Sequence, residues 1–277
     1  MGHPKHQEIA LVERSRLMTY DTILFDVADN VATITLNKPE RLNAMAPLMA
    51  DEINAALDEL DGARAVLITG TGRAFCSGAD LQARGDASIA GGSAPYAALT
   101  QHYDPLMMKI ARLPVPVVTA VNGPAAGIGC SLALAGDFAI AGKSAYFLQA
   151  FVNIGLVPDG GASWMLPRLI GKARATEMML LGEKIGAEKA ESWGLIHKCV
   201  DDAVLLEEAR ALAKRLASGP TVAIGIMRQN IAAALEADYA SALVREAEGQ
   251  RIAGASADAI EGGLSFLQKR KAAFQGR

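Results

Sequence analysis

Residues 154–161 place a single carboxylate, that of Asp159, at a tight turn among apolar and glycine residues. Pro158 fixes φ ahead of the carboxylate and the glycines after it tolerate positive φ, which is also ordinary turn chemistry. Four apolar neighbours are expected to desolvate the carboxylate: Phe151, Ile154, Leu156 and Val157. Since desolvation favours the protonated form, such a group can take up a proton and return it elsewhere. Asp159 is therefore a candidate catalytic base, although the octet alone also fits an ordinary turn and the motifs around it must decide.

Two glycine-containing loops precede this turn, at residues 75–81 and 122–131. Each follows an apolar segment expected to form a strand and leads towards a segment able to begin a helix. Backbone N–H groups at the start of a helix lack intrahelical acceptors. Two such donors directed at one point can hold the oxygen of a thioester enolate, and each contributes about 3–4 kcal/mol to transition-state stabilisation. The alternative is that both loops are ordinary strand-to-helix turns.

In this order and spacing, the segments resemble the crotonase (enoyl-CoA hydratase/isomerase) superfamily from about residue 18 to the C-terminus. Further landmarks of the resemblance are residues 37–45, 187–196 and 266–271. The resemblance implies an acyl-CoA substrate, with the N–H groups of Ala79 and Ile128 as an oxyanion hole. It implies no metal or redox cofactor, and CoA enters as part of the substrate. It also implies a homotrimer or a hexamer made of two trimers. The substrate contacts that it implies come from Leu42, Ala44, Gly78, Asp80, Leu81, Gly127, Phe151, Pro158, Phe266 and Lys269.

Two positions depart from the pattern of the hydratases in this superfamily, which use two glutamates to add water. The corresponding positions hold Ser131 and Phe151, and neither side chain carries charge or exchanges a proton near neutral pH. Ser131 is interpreted as a buried hydroxyl that caps a helix. Asp159 lies where members that shift double bonds, or displace halide from an aromatic ring, carry an aspartate. The chain is therefore predicted to be an acyl-CoA isomerase, similar to the group that rearranges ring epoxides in phenylacetate degradation.

Three other activities stay open at this stage. A hydratase would need a carboxylate from elsewhere in the chain. A dehalogenase or hydrolase would use Asp159 as a nucleophile and pass through a covalent aspartyl adduct. A non-catalytic protein would hold acyl-CoA or RNA on the same fold.

The composition indicates one large domain or two small ones, with 277 residues of which 51% are hydrophobic and only 5% aromatic. A net charge of −3 provides no basic field for nucleic acid. Three cysteines without metal-ligand spacing predict reduced thiols in the core and a cytoplasmic location. The sequence has neither the apolar region of a signal peptide nor a run long enough for a membrane span. The basic cluster at 269–271 is expected either to meet the phosphates of CoA or to be a solvated helix end.

Apolar strand patterns alternate with helical patterns, which predicts an α/β fold with parallel strands. The family resemblance implies a crotonase-type spiral of repeated ββα units with a C-terminal helical region. We expect a flexible extension at 1–17, a spiral acyl-CoA-binding core at 18–200 and a helical region at 201–277. The expected strands are 23–27, 31–36, 65–69, 117–121 and 138–141, and the expected helices include 46–61, 93–112, 129–135, 173–181, 205–217, 220–237 and 239–252.

Overall fold

The computed structural model describes residues 20–81 and 92–277, so the expected extension at 1–17 lies outside the described residues. Nine strands form two sheets in these two ranges. The strands are β1 (Ile23–Ala28), β2 (Val31–Leu36), β3 (Ala65–Gly70), β4 (Val117–Val121), β5 (Ala125–Ala126), β6 (Phe138–Gly142), β7 (Tyr146–Leu148), β8 (Ile185–Gly186) and β9 (Lys198–Val200). The five longer strands agree with the sequence-based bounds within one residue, because runs of apolar residues, many of them β-branched, mark them clearly.

The larger sheet has the strand order β1-β2-β3-β4-β6-β9. β1 and β2 form an antiparallel hairpin, and its turn residues Asp29 and Asn30 both have positive φ, as a type I′ hairpin turn requires. The remaining pairs of this sheet are parallel. The smaller sheet has the order β5-β7-β8, with β5 parallel to β7 and β8 antiparallel to it. The parallel strands predicted from the sequence are confirmed.

The helices differ from the sequence-based bounds by more than two residues at three places. The helices are α1 (Pro47–Ala56), α2 (Ser93–Ala98), α3 (Asp104–Arg112), α4 (Ile128–Leu134), α5 (Ala162–Leu181), α6 (Ala187–Ser192), α7 (Leu205–Ala217), α8 (Thr221–Ala234), α9 (Tyr239–Gly254) and α10 (Ala257–Leu267). α1 ends five residues before the expected residue 61, in a loop where Asp61 and Gly62 both have positive φ. α5 is interrupted by a kink at Gly171, whose φ of +73° and ψ of 161° are non-helical, so the expected helix 173–181 corresponds to the segment after the kink. The segment before it, which contains Pro167, was not expected. α8 ends three residues before the expected residue 237.

Both faces of the larger sheet are covered, which is the usual condition for parallel strands. On one face, α7 packs its small residues Ala209, Ala213 and Ala217 against side chains of β3, β4 and β6. The other face packs against α1, α3 and α4 in the main core. The predicted boundary at 200/201 coincides with the end of β9, although α7 covers the same sheet as the preceding elements. The division into a core and a C-terminal helical region therefore stays a prediction.

Candidate functional site

The first glycine-containing loop is held between two neighbouring segments. Cys76 accepts a hydrogen bond from the N–H of Ala126 at 2.9 Å and donates its own N–H to the carbonyl of Pro124 at 3.1 Å. On the other side, Met45 pairs in parallel with Ala79 as an isolated bridge. These contacts fix the Ala79 backbone between the start of α1 and the strand β5.

The second glycine-containing loop meets the first through its glycines. Gly127 has a φ of +53° and donates its N–H to the carbonyl of Leu148 at 2.9 Å. A Cβ at Gly127 would lie 3.7 Å from the Cα of Gly78 and 3.5 Å from the ring of Phe151. Ile128 follows as the first residue of α4, where N–H groups lack intrahelical acceptors. The structure thus brings the predicted donors Ala79 and Ile128 onto two loops that are in contact.

The turn that carries Asp159 packs on the first turn of α4. The carbonyl of Asp159 accepts hydrogen bonds from the hydroxyl of Ser131 at 2.9 Å and from the N–H of Ala162 at 3.1 Å. A Cβ at Gly160, whose φ is +58°, would lie 2.6 Å from Cδ1 of Ile128 and 2.7 Å from Cβ of Ser131. Only glycine therefore allows this close approach. Asp159 is half-buried, and its Oδ1 atom is shielded from solvent.

The expected desolvation of Asp159 by its apolar neighbours is only partly correct. Phe151 is buried and packs on Gly127. In the single chain, however, Ile154 is 59% exposed, Leu156 46% and Val157 80%. The reason is local geometry, since the short 3₁₀ helix Ala150–Ile154 is followed by Gly155, whose left-handed φ of +72° turns the chain outward.

Ser131 has a different role from the one expected of it. It lies inside α4 with no exposed surface, while the residue at the helix N-cap is Gly127, which makes no side-chain capping bond. The Ser131 hydroxyl instead donates to the Asp159 carbonyl. The interpretation as a helix cap is therefore wrong. The spacing in the sequence could have indicated the contact with the Asp159 turn. Ser131 follows Ile128 by three residues and therefore lies on the same face of α4 as that predicted donor.

Residues 41–45 border the first loop and include several of the predicted substrate contacts. Leu42 has a φ of +52°, and its carbonyl accepts the N–H of Ser77 at 3.0 Å. Ala44 is half-buried. Asn43, which sequence reasoning missed, is fully buried, donates to the carbonyls of Thr71 and Ala74, and accepts the N–H of Lys38. This buried amide ties the segment to the loop after β3.

At the far end of the first loop, Asp80 pairs with Arg41 at 2.7 Å and its side chain is 13% exposed. The next residue, Leu81, is about half exposed. Pro158, the remaining predicted contact in this part of the chain, is half-buried and directly precedes Asp159. The structure thus gathers most of the predicted site residues around the two loops and the Asp159 turn.

The two predicted contacts from the C-terminal region lie apart from these loops in sequence and are open to solvent. Phe266 lies near the end of α10 with 83% of its surface exposed, and Lys269 follows the helix with a φ of +51°. Within the basic cluster, Arg270 forms an ion pair with Glu261, which lowers the pKa of that carboxyl to about 2. Arg270 is therefore engaged within its own chain, and the roles of Phe266 and Lys269 stay predictions.

Two of the three cysteines lie in the core. Cys76 and Cys130 are fully buried, as expected of core residues, and burial raises the pKa of each thiol to about 12. Cys199 is half-buried. In the ranges 20–81 and 92–277, three or more His, Cys, Asp or Glu side chains nowhere gather as a metal site would require. Among the helices of these same ranges, none has the length and apolar character needed to cross a bilayer.

Comparison with known proteins gives one consistent family. Residues 26–277 match the family model described as enoyl-CoA hydratase/isomerase. A probable enoyl-CoA hydratase of Rhodobacter capsulatus is 46% identical over 261 residues, which cover 94% of this chain and 100% of that protein. The 1,2-epoxyphenylacetyl-CoA isomerase of Escherichia coli is 44% identical over 260 residues, which cover 92% and 98%.

Solved structures agree with the sequence matches. A putative enoyl-CoA hydratase from Streptomyces coelicolor A3(2) superimposes with a TM-score of 0.88 at 32% identity, covering 98% of this chain and 100% of that one. This likeness confirms the predicted crotonase-type α/β fold. The chain belongs to the enoyl-CoA hydratase/isomerase family.

Proposed function

We propose that this protein is an acyl-CoA isomerase in which Asp159 moves a proton while the N–H groups of Ala79 and Ile128 hold the thioester oxygen. One observation carries the proposal. The turn bearing Asp159 packs directly on the first turn of α4, whereas the two positions expected to hold hydratase glutamates are Ser131 and Phe151. One carboxylate in this place suits proton transfer without addition of water.

The reaction needs a base and a site for negative charge. Removing a proton from the acyl chain moves negative charge onto the thioester oxygen, where two fixed N–H donors stabilise it, and loss of one such donor costs about 3–4 kcal/mol. Asp159 then returns the proton to another carbon, which shifts the double bond or completes the rearrangement of a ring epoxide. A positioned acid and base of this kind typically contributes about 10²–10⁴-fold to the rate.

Phe151 and Ser131 also disfavour hydration by their packing. The Phe151 ring lies against Gly127, at the loop that carries the predicted donor Ile128. Around Ser131, the backbone of Gly160 approaches so closely that a longer side chain has little room. Hydration is still the second candidate, because the Rhodobacter capsulatus relative is described as a probable enoyl-CoA hydratase. A dehalogenase or hydrolase that uses Asp159 as nucleophile, and a non-catalytic acyl-CoA-binding protein, are weaker alternatives.

We infer that the substrate is a ring-epoxide or unsaturated acyl-CoA, because the Escherichia coli relative acts on an epoxyphenylacetyl-CoA and is similar over nearly its whole length. The pathway would be phenylacetate catabolism or fatty acid metabolism. The proposal includes no cofactor beyond the CoA moiety, a cytoplasmic location, and a homotrimer or hexamer. Exposed apolar side chains on α8, α9 and α10 support contacts between copies of the chain: Met227, Ile231, Val244, Ile260 and Leu267.

A panel of enoyl-, dienoyl- and ring-epoxide acyl-CoAs, incubated with the protein in H₂¹⁸O, tests this function. We expect an isomer of one substrate as the product, with no ¹⁸O incorporated and no adduct on Asp159 in the mass spectrum of the protein. Label in most of the product would favour hydration. A covalent aspartyl intermediate would favour the dehalogenase or hydrolase, and no turnover of any substrate would favour a binding protein.

A further inference from the structure

Between α2 and α3 the helix contains one π-helical turn, Leu99–Tyr103. Such turns hold an additional residue, change the helix face that follows, and are frequent at functional sites. Here the turn directs Tyr103 into the protein, where only 1% of the residue is exposed. The Tyr103 hydroxyl donates a hydrogen bond to the carbonyl of Met45 at 2.7 Å.

Met45 is the residue that pairs with Ala79. Its N–H donates to the carbonyl of Gly78 at 2.7 Å, and its carbonyl accepts the N–H of Asp80 at 3.0 Å. Met45 therefore bonds to the residues on either side of Ala79 and not to Ala79 itself. In a parallel pairing, the N–H of the skipped residue points away from its partner strand. The Met45 backbone thus sets the direction of the Ala79 N–H.

One ion pair and several hydrogen bonds hold the helical segment of Tyr103 against α1, which begins two residues after Met45. Nδ1 of His102 lies 2.8 Å from a carboxylate oxygen of Asp51. Nζ of Lys109 lies 2.5 Å from Asp58 and donates to the carbonyl of Asn54 at 3.0 Å. Exposed pairs of this kind add little stability individually, but together they restrict how α3 can move over α1.

We propose that Tyr103 is a positioning residue whose hydroxyl fixes the Met45 carbonyl and so aligns the Ala79 N–H in the oxyanion hole. The inference rests on the function proposed above for Ala79. Donors in an oxyanion hole act mainly on the transition state, so misalignment lowers kcat more than it raises KM.

Tyr103→Phe removes the hydroxyl and keeps the ring. We expect kcat to fall about tenfold with KM changed less than about threefold, a smaller loss than the 10²–10³-fold caused by removing a donor. Thr69→Val is the matched control, because the buried Thr69 hydroxyl also donates to a backbone carbonyl, that of Ala120 at 2.9 Å, between β3 and β4. We expect the control to keep wild-type kcat.

A spectroscopic measurement separates alignment from stability. The infrared carbonyl stretch of bound butyryl-CoA, labelled with ¹³C at the thioester, is expected at lower frequency than in solution, because the donors polarise the bond. Tyr103→Phe should lose part of this shift and Thr69→Val should keep it. If Tyr103→Phe does not fold, 3-fluorotyrosine at position 103 keeps the ring and the hydroxyl, adds one small atom and makes the hydroxyl a stronger donor, which should alter the frequency.

The outcomes distinguish this inference from the proposed function. Wild-type turnover by Asp159→Asn would overturn the proposed function. If Asp159→Asn is inactive while Tyr103→Phe retains both wild-type kcat and the wild-type carbonyl frequency, Tyr103 is only a core hydrogen bond and the inference is wrong. An unchanged frequency with 3-fluorotyrosine would overturn it in the same way.

Discussion

Ser131→Glu places a carboxylate at the position where the resemblance expects hydratases to carry one, and the structure predicts that it does not create an efficient hydratase. Ser131 has no exposed surface, and its hydroxyl binds the carbonyl of Asp159. Gly160 approaches this side chain so closely that a Cβ at position 160 would lie 2.7 Å from Cβ of Ser131. A longer side chain must displace the turn that carries the proposed base.

Three costs add up in this variant. Loss of the Ser131 hydrogen bond costs about 1 kcal/mol. Insertion of a larger side chain into a packed site costs about 1–3 kcal/mol. A buried carboxylate without a partner costs several kcal/mol more or stays protonated, and a protonated group cannot activate water. We expect the free energy of unfolding to fall by about 4–7 kcal/mol, a large part of the 5–15 kcal/mol typical of a protein.

Urea unfolding and assays with crotonyl-CoA in H₂¹⁸O measure both consequences. Ser131→Gln is the matched control, because it has nearly the size of glutamate without the charge, and Ser131→Ala removes only the hydrogen bond. We expect the loss of stability to increase from alanine to glutamine to glutamate. A Ser131→Glu variant with near wild-type stability and efficient hydration would refute the reasoning, since the site would then have room for a second catalytic carboxylate.

Three further results are expected. Asp159→Asn should fold and bind CoA thioesters but lose at least about 10²-fold in kcat, because the amide cannot accept the proton; titration with a CoA ester and steady-state kinetics check this. Gly160→Ala should reduce both stability and turnover more than Gly155→Ala, since both glycines have positive φ but a Cβ has open space only at Gly155; thermal unfolding and kinetics compare the two. The pKa of Glu261 is lowered from 4.5 to about 2 by its ion pair with Arg270, so its contribution to stability is present above pH 4.5 and is lost as the pH falls towards 2. Glu261→Gln should therefore make the free energy of unfolding, measured in urea titrations, depend less on pH as the pH falls from 4.5 towards 2. An unchanged pH dependence would contradict this role of Glu261.

The sequence by itself determined the local structure and the identities of the reactive groups. Apolar, β-branched runs such as β2 and β4 favour strands, and glycines such as Gly127 and Gly160 mark positions where a left-handed φ or a close approach is required. The same reading identified Asp159 as the candidate base and showed that Ser131 and Phe151 depart from the hydratase pattern. These features depend on neighbours only a few residues away.

The tertiary structure decided which of these groups touch. Ser131 and Asp159 are 28 residues apart, and Tyr103 and Met45 are 58 residues apart. Periodicity can assign a residue to a helix face but cannot say what lies opposite that face. Exposure of Val157 was unpredictable for the same reason, because it depends on which way the chain turns at Gly155. Contacts between distant segments are set by the packing of whole elements around the sheets, and only the folded chain contains that information.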